Sequence, residues 1–191
     1  MIRFLTIAMP VFSVLVAFQA MSATATSWTV IPKHSSISFS VLQTGQILKG
    51  KLETFDAKIN FDGGQEPVGN VDISIDTKSF KTGIDEIDGQ AQADNWFAAE
   101  KFPQARFSAA SFTATGNNSY AAKGTLTIKG TTHDVTLPFT LKIGADGTAM
   151  MQAQLKLSRA AYNIGTGAMA DTNIIADEVT IDIAVEAKPT I

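Results

Sequence analysis

The sequence contains no cysteine among its 191 residues, and charged side chains are scarce at 17% of the chain. Without cysteine it can form no disulfide framework, no thiol nucleophile and no Cys-ligated zinc or iron–sulfur centre. The 15 basic and 18 acidic residues give a net charge of −3 and form no long run of either sign. This balance excludes the basic footprint of nucleic-acid-binding proteins.

Hydrophobic residues make up 45% of the chain, and part of this excess lies at the N-terminus. Arg3 supplies a positive charge, an apolar run extends from Phe4 to Ala20, and small residues follow. Because a membrane-spanning helix needs about 20 apolar residues, this shorter run predicts a signal peptide over residues 1–25, cleaved after residue 22 or 25. An uncleaved anchor is the alternative. Residues 26–191 would then form one domain, which we expect in the periplasm.

Beyond residue 27, hydrophobic residues occupy every second position in successive segments, which is typical of half-buried antiparallel strands. Residues 135–143 and 179–185 show the pattern most clearly. The alternation changes parity near Glu53 and Thr54, where a β-bulge would return both halves to one face, and again after Ala109. About eight long strands are predicted in this way.

Eight such strands with little helix to cover them must either pack as two sheets or close into a barrel. An eight-stranded barrel can fill its interior with side chains or hold one ligand. A barrel about 25 Å tall would suit a long, narrow, apolar guest. We therefore predict an all-β fold, a closed antiparallel eight-stranded barrel. A filled barrel or a sandwich without a ligand remains the alternative.

Residues 82–95 are predicted to form the one helix. Thr82 and Asp85 fit a capping box at its start. Trp96 and Phe97 follow directly and would either cover an opening of the barrel or anchor the helix by packing.

The sequence motifs that could indicate catalysis or metal binding lack the surrounding elements or partner residues that they need. Residues 165–170 match the G-x-G-x-x-A dinucleotide fingerprint, but a strand over 178–187 follows where a helix is needed. His34 and His133 lack a second histidine at ligand spacing. We therefore predict no catalytic residue, no metal site and no required cofactor.

Arg159 continues the apolar parity of Met151, Leu155 and Leu157. An unpaired guanidinium inside a barrel would be costly. Arg159 is therefore predicted to pair with a carboxylate or to contact the polar head of a ligand. The alternative is an arginine at the strand end, in solvent or in a salt bridge.

Several short blocks of the sequence resemble, in the same order, the motifs of the YceI-like family. Together they cover almost all of the chain from Trp28 to Ala187. The blocks are His34–Phe39, Gly50–Asp62, Ile75–Ser79, Phe102–Phe107, Gly124–Gly130 and Ser158–Gly165.

The resemblance implies a lipocalin-like barrel with one short helix near its mouth and a hydrophobic cavity that holds polyisoprenoids or similar long-chain amphiphiles. It implies a periplasmic binding protein, able to form a homodimer, and not an established enzyme. Trp96-Phe97 and Leu137–Phe139 look most like the branch found beside membrane b-type cytochromes, which suggests a quinone as guest and such a cytochrome as partner. Two departures leave the head-group preference open: Asp94-Asn95 replace a His-Leu pair, and Met169 replaces a frequent tryptophan.

The leading hypothesis is a barrel that sequesters or carries a polyisoprenoid or a quinone. Arg159, His34 and Asn163 are predicted to contact its polar head. An envelope interaction module that docks on a cytochrome or another partner without carrying lipid is the alternative, and an enzyme acting on an isoprenoid head is a third. The predicted apolar lining consists of Phe39, Val41, Ile73, Ile75, Trp96, Phe97, Leu126, Ile128, Val135, Leu137, Phe139, Met151, Leu155, Leu157, Ile181 and Ile183.

Overall fold

A computed structural model describes residues 25–190, and β-strands form most of its regular structure. The predicted signal peptide lies outside the described residues except for Ala25. No helix within 25–190 is long and apolar enough to cross a bilayer. The helix is α1 (Asp85–Gln90), and 3₁₀ turns lie at Pro32–His34, Thr77–Ser79, Ala160–Tyr162 and Gly167–Ala170. The strands are β1 (Ser27–Val30), β2 (Ser36–Gln43), β3 (Gln46–Leu52), β4 (Phe55–Asp62), β5 (Val68–Asp76), β6 (Phe80–Lys81), β7 (Gln104–Gly116), β8 (Ser119–Ile128), β9 (Thr131–Ile143), β10 (Ala149–Ser158) and β11 (Ile175–Pro189).

The strands form one antiparallel sheet that closes on itself. Their order is β1–β4–β5–β7–β8–β9–β10–β11–β2–β3–β6, and an additional pairing of β1 with β11 closes the ring. β1 and β2 follow each other along β11 as one interrupted strand, and β3 and β4 continue one another in the same way. With each interrupted strand counted once and the short β6 left aside, eight strands make the barrel. The predicted closed eight-stranded barrel is confirmed.

Both predicted changes of parity coincide with irregularities of the sheet. β3 and β4 are separated by Glu53 and Thr54, whose backbone N–H groups donate to the Ser79 carbonyl (3.2 Å) and hydroxyl (3.1 Å). The register of β7 against β8 shifts between Ala109 and Ser111. Because each interruption adds a residue to the alternation, the apolar side chains before and after it point to the same side.

The barrel has two different ends. The end that we call upper carries the two-residue turns at Thr44-Gly45 and Lys129-Gly130 and the long connections 77–103 and 159–174. In both turns the two central residues have positive φ, between 46° and 79°, as the tight hairpin turns that match strand twist require.

The lower end is filled by aromatic rings. The ring centroid of Phe61 lies 5.0 Å from that of Phe112, 5.5 Å from Tyr120 and 5.6 Å from Phe139. The Trp28 indole N–H donates to the carbonyl of Phe61 (2.9 Å), which ties β1 to this cluster. An opening of the barrel is therefore expected at the upper end.

The helix α1 is shorter than predicted, and its capping box is absent. It ends at Gln90 rather than near Asn95, because the chain then tightens into i→i−3 hydrogen bonds such as Ala93 N–H to the Gln90 carbonyl. Instead of capping through Asp85, the N–H and hydroxyl groups of Thr82 both donate to the Asp88 carboxylate, at 2.6 and 2.7 Å.

Candidate functional site

The interior of the barrel holds an elongated apolar cavity of about 430 Å³. This volume lies within the roughly 300–1,000 Å³ of typical small-molecule sites. Side chains with hydrogen-bonding groups are few on its wall, and they include Gln43, Thr77, Gln90 and Arg159. The alternation along the strands creates this wall, since it sends one apolar side chain inward at every second residue.

The cavity extends along most of the barrel. On β10 its wall runs from Ala149 near the lower end to Arg159 at the upper end. Ten residue steps correspond to about 33 Å along a strand, or about 25 Å along the axis of a barrel whose strands tilt by about 40°. The cavity reaches the surface at the upper end, where the exposed Gln90 and Ile174 lie on its wall.

The structure places almost every predicted lining residue on this wall. Val135 is the exception: it packs against the buried cluster of Leu126, Tyr162 and Ile164 without reaching the cavity. The predicted residues on the wall are Phe39, Val41, Ile73, Ile75, Trp96, Phe97, Leu126, Ile128, Leu137, Phe139, Met151, Leu155, Leu157, Ile181 and Ile183.

Other wall residues were missed, for two reasons. Phe55, Ala57 and Ile59 on β4 share one parity, so the alternation was sufficient to find them. The β10–β11 connection has no strand periodicity, so no pattern indicated that Tyr162 and Met169 lie on the wall.

Trp96 and Phe97 combine both of their predicted roles. Each lies on the cavity wall, and each packs against the cluster of Leu126, Tyr162 and Ile164. They therefore narrow the upper end of the cavity and also attach the segment that follows α1 to the barrel.

Arg159 is buried, with 3% of its surface exposed, and it borders the cavity. Its guanidinium donates to main-chain carbonyls: Nε to Ala176 (3.1 Å), one terminal nitrogen to Ile164 and Gly165 (2.9 and 3.1 Å), and the other to Ile175 (2.7 Å). The predicted carboxylate partner is therefore wrong among residues 25–190, because four carbonyl oxygens occupy the donors.

These contacts make Arg159 a clamp for the β10–β11 connection. Its carbonyl partners Ile164 and Ile175 both contribute side chains to the cavity wall. The nearby carboxylate of Asp177 accepts from the Ala160 N–H group (2.9 Å). A hydrogen bond from Ser158, with smaller help from the Ala160 N–H and the Arg159 charge, lowers the pKa of Asp177.

The other two residues predicted at the ligand head do not lie on the cavity wall. His34 sits in an exposed 3₁₀ turn with its side chain 59% exposed, and its Nδ1 lies 2.8 Å from a carboxylate oxygen of Glu186. Asn163 ends another 3₁₀ turn at φ 56°, and its side-chain amide donates to the Thr131 hydroxyl (3.2 Å). Neither position favours the predicted contact with a ligand head, because each residue bonds to a neighbouring strand on the outside of the barrel.

Few groups on the cavity wall can titrate. Burial raises the pKa of the Tyr162 phenol, so this group stays neutral at physiological pH. Within residues 25–190, no group of three or more histidine, aspartate or glutamate side chains is arranged to hold a metal ion. The wall therefore offers apolar contact, the side-chain amides of Gln43 and Gln90, the neutral phenol of Tyr162 and one clamped guanidinium.

Two known bacterial proteins are similar to this chain in sequence. A "UPF0312 protein" of Shewanella denitrificans is 33% identical over 105 residues, which are 54% of this chain, and the chain spans only 55% of that relative's length. "Protein YceI" of Salmonella arizonae is 29% identical over 160 residues, or 81% of each chain.

Solved structures share the architecture. BcnA of Burkholderia cenocepacia superposes with a TM-score of 0.80 at 33% identity, over 84% of this chain and 100% of its own. A polyisoprenoid binding domain from Saccharophagus degradans, at 15% identity, superposes with a TM-score of 0.70 over 86% of this chain and 99% of its own. The model of the YceI-like domain matches residues 28–187, which is nearly the whole barrel. The chain therefore belongs to the YceI-like family.

Proposed function

We propose that this protein is a periplasmic binding protein that sequesters or carries a polyisoprenoid or a similar long-chain amphiphile. The observation that carries the proposal is the apolar cavity, which is closed by aromatic rings below and open above. A long chain can lie along it, and each buried CH₂ contributes about 0.8 kcal/mol before ordering costs. The wall alone can therefore supply most of the affinity.

A structural neighbour supports the same ligand class. The Saccharophagus degradans protein with this fold is described as a polyisoprenoid binding domain. The wall within residues 25–190 includes no histidine, serine or carboxylate side chain. Its Thr77 hydroxyl donates to the Phe102 carbonyl (2.9 Å) and its Tyr162 phenol stays neutral, so neither is activated as a nucleophile or general base, which favours binding over catalysis.

The groups at the mouth favour a neutral head. Gln43 and Gln90 can donate to and accept from a carbonyl or hydroxyl group. The guanidinium of Arg159 is already bonded to four carbonyls, so it offers little to a phosphate. A prenylated quinone or alcohol fits this mouth better than a prenyl diphosphate does.

A binding titration tests both the binding of a long-chain amphiphile and the preference for a neutral head. Delipidated protein would be titrated with a prenylquinone and with a prenyl diphosphate of equal tail length, following the tryptophan fluorescence of Trp28 and Trp96, which both lie on the wall. We expect saturable binding of both and tighter binding of the quinone. Absence of binding to either ligand would contradict the proposal, and preference for the diphosphate would contradict the neutral head.

A cavity-filling variant provides the matched test. Ala57 points inward, so Ala57→Trp would occupy the space of the chain, whereas the neighbouring Lys58 points outward and Lys58→Trp would leave that space open. Ala57→Trp should lose binding and Lys58→Trp should keep it, with both folds checked by circular dichroism. Equal binding by the two variants would mean that the ligand does not occupy the barrel.

A further inference from the structure

The tip of the β2–β3 hairpin, residues 42–48, has an apolar outer surface. Leu42 and Ile47 are direct partners across the hairpin, and they are 50% and 66% exposed. We propose that this tip docks the protein on the head-group region of a lipid bilayer. The inference rests on the proposed function only in supposing that the cargo comes from a membrane.

The tip is a rigid projection rather than a loose loop. Thr44 and Gly45 form its turn with φ of 46° and 79°. The Thr44 N–H donates to the carbonyl of Ile174 (2.8 Å), which fastens the tip to the β10–β11 connection. Ile174 is itself 38% exposed and adds a third apolar side chain beside the pair. Such a preformed surface needs little ordering when it binds.

The tip is continuous with the mouth of the cavity. Gln43, Leu48 and Ile174 line the cavity, while Leu42 and Ile47 beside them face outward. One largely apolar surface therefore passes from the inner wall over the rim to the outside. If the rim lies in the head-group region, a lipid tail can move between bilayer and cavity without crossing water.

The tip itself carries no charge. No charged residue occurs from Ser35 to Leu48, so inserting the tip desolvates no ionised side chain of its own. Lys49 follows on the same outward face as Ile47, and within residues 25–190 it forms no salt bridge. Asp171 in the adjoining β10–β11 connection carries the opposite charge, so the surroundings of the tip favour neither sign of surface charge. An uncharged projection with exposed apolar side chains suits insertion into the head-group region of a bilayer, where apolar contact area drives binding.

Co-sedimentation with vesicles tests the inference on the mature protein. Vesicles of phosphatidylcholine alone would be compared with vesicles of equal amounts of phosphatidylcholine and phosphatidylglycerol. We expect binding to both kinds of vesicle, reduced by about tenfold or more when both tip residues are replaced in Leu42→Ser/Ile47→Ser. The matched control is Ile143→Ser/Met150→Ser, since these side chains are 54% and 42% exposed at the lower end.

The outcomes separate this inference from the proposed function. Neither Leu42 nor Ile47 lines the cavity, so the tip variant should bind prenylquinone in solution as the unmodified protein does. Failure of the unmodified protein to bind either vesicle would overturn the docking inference. Equal losses in the two double variants would overturn it as well, and so would binding to the anionic vesicles alone, which would indicate attraction by charge rather than insertion of the apolar tip. If the unmodified protein does not bind prenylquinone in solution, that result would count against the proposed function alone.

Discussion

The clamp formed by Arg159 gives the most demanding prediction about stability. Arg159→Met keeps the aliphatic stem but leaves four carbonyls without their donor: those of Ile164, Gly165, Ile175 and Ala176. Hydrogen bonds to charged groups contribute about 1.5–3 kcal/mol each, but the cavity admits water that can satisfy some of the freed oxygens. We therefore expect the free energy of unfolding to fall by about 3–5 kcal/mol, a large part of the usual total of roughly 5–15 kcal/mol.

Urea unfolding followed by circular dichroism measures this loss. Arg159→Lys should recover only part of it, because one ammonium nitrogen cannot reach carbonyls on both sides of the connection. Arg106→Met is the matched control: Arg106 is 59% exposed, and its salt bridge to Asp72 (3.3 Å) should contribute less than about 1 kcal/mol. A loss in Arg159→Met no larger than that in Arg106→Met would refute the clamp.

The remaining predictions concern other parts of the chain. Hydrogen bonds from Thr82 lower the pKa of Asp88, so its stabilising effect is present above the unfolded pKa of about 3.9 and is lost as the pH falls below it. Asp88→Asn should therefore have a lower urea midpoint than the unmodified protein at pH 7. The difference between the two midpoints should shrink towards pH 2, and a difference that stays constant with pH would contradict the argument. A Cβ at Gly124 would overlap the carbonyl oxygen of Ser108, so Gly124→Ala should lower the free energy of unfolding by about 1–3 kcal/mol. An unchanged urea midpoint would show that β7 and β8 can move apart to admit the methyl group without a loss of stability. Mass spectrometry of the protein secreted by its host should find an N-terminus at residue 23 or 26, whereas an intact Met1 would support the uncleaved anchor.

Period-two alternation was enough to predict the barrel and most of its inner wall. Strand side chains alternate strictly, so Leu137, Leu155 and Ile181 could be assigned to the inside from sequence alone. The two changes of parity did not disturb this assignment, because each sits at an interruption of the pairing. Local pattern and overall fold agree wherever the chain is a strand.

Long-range contacts of the connections could not be predicted in this way. The parity of Arg159 correctly indicated that it points inward, but its acceptors lie on a connection that folds back over it. His34 belongs to a family block, yet an exposed 3₁₀ turn directs it to Glu186 on the outer surface. The helix was predicted too long because turn bonds after Gln90 depend on packing against the barrel rather than on helix propensity.

The central claim is that the barrel holds a long apolar guest. The most direct measurement is mass spectrometry of organic extracts from protein purified gently from its native host, alongside native mass spectrometry of the intact complex. The account predicts one prenyl lipid per barrel in the unmodified protein and none in Ala57→Trp. A barrel that is repeatedly empty, or a lipid retained equally by Ala57→Trp, would contradict it.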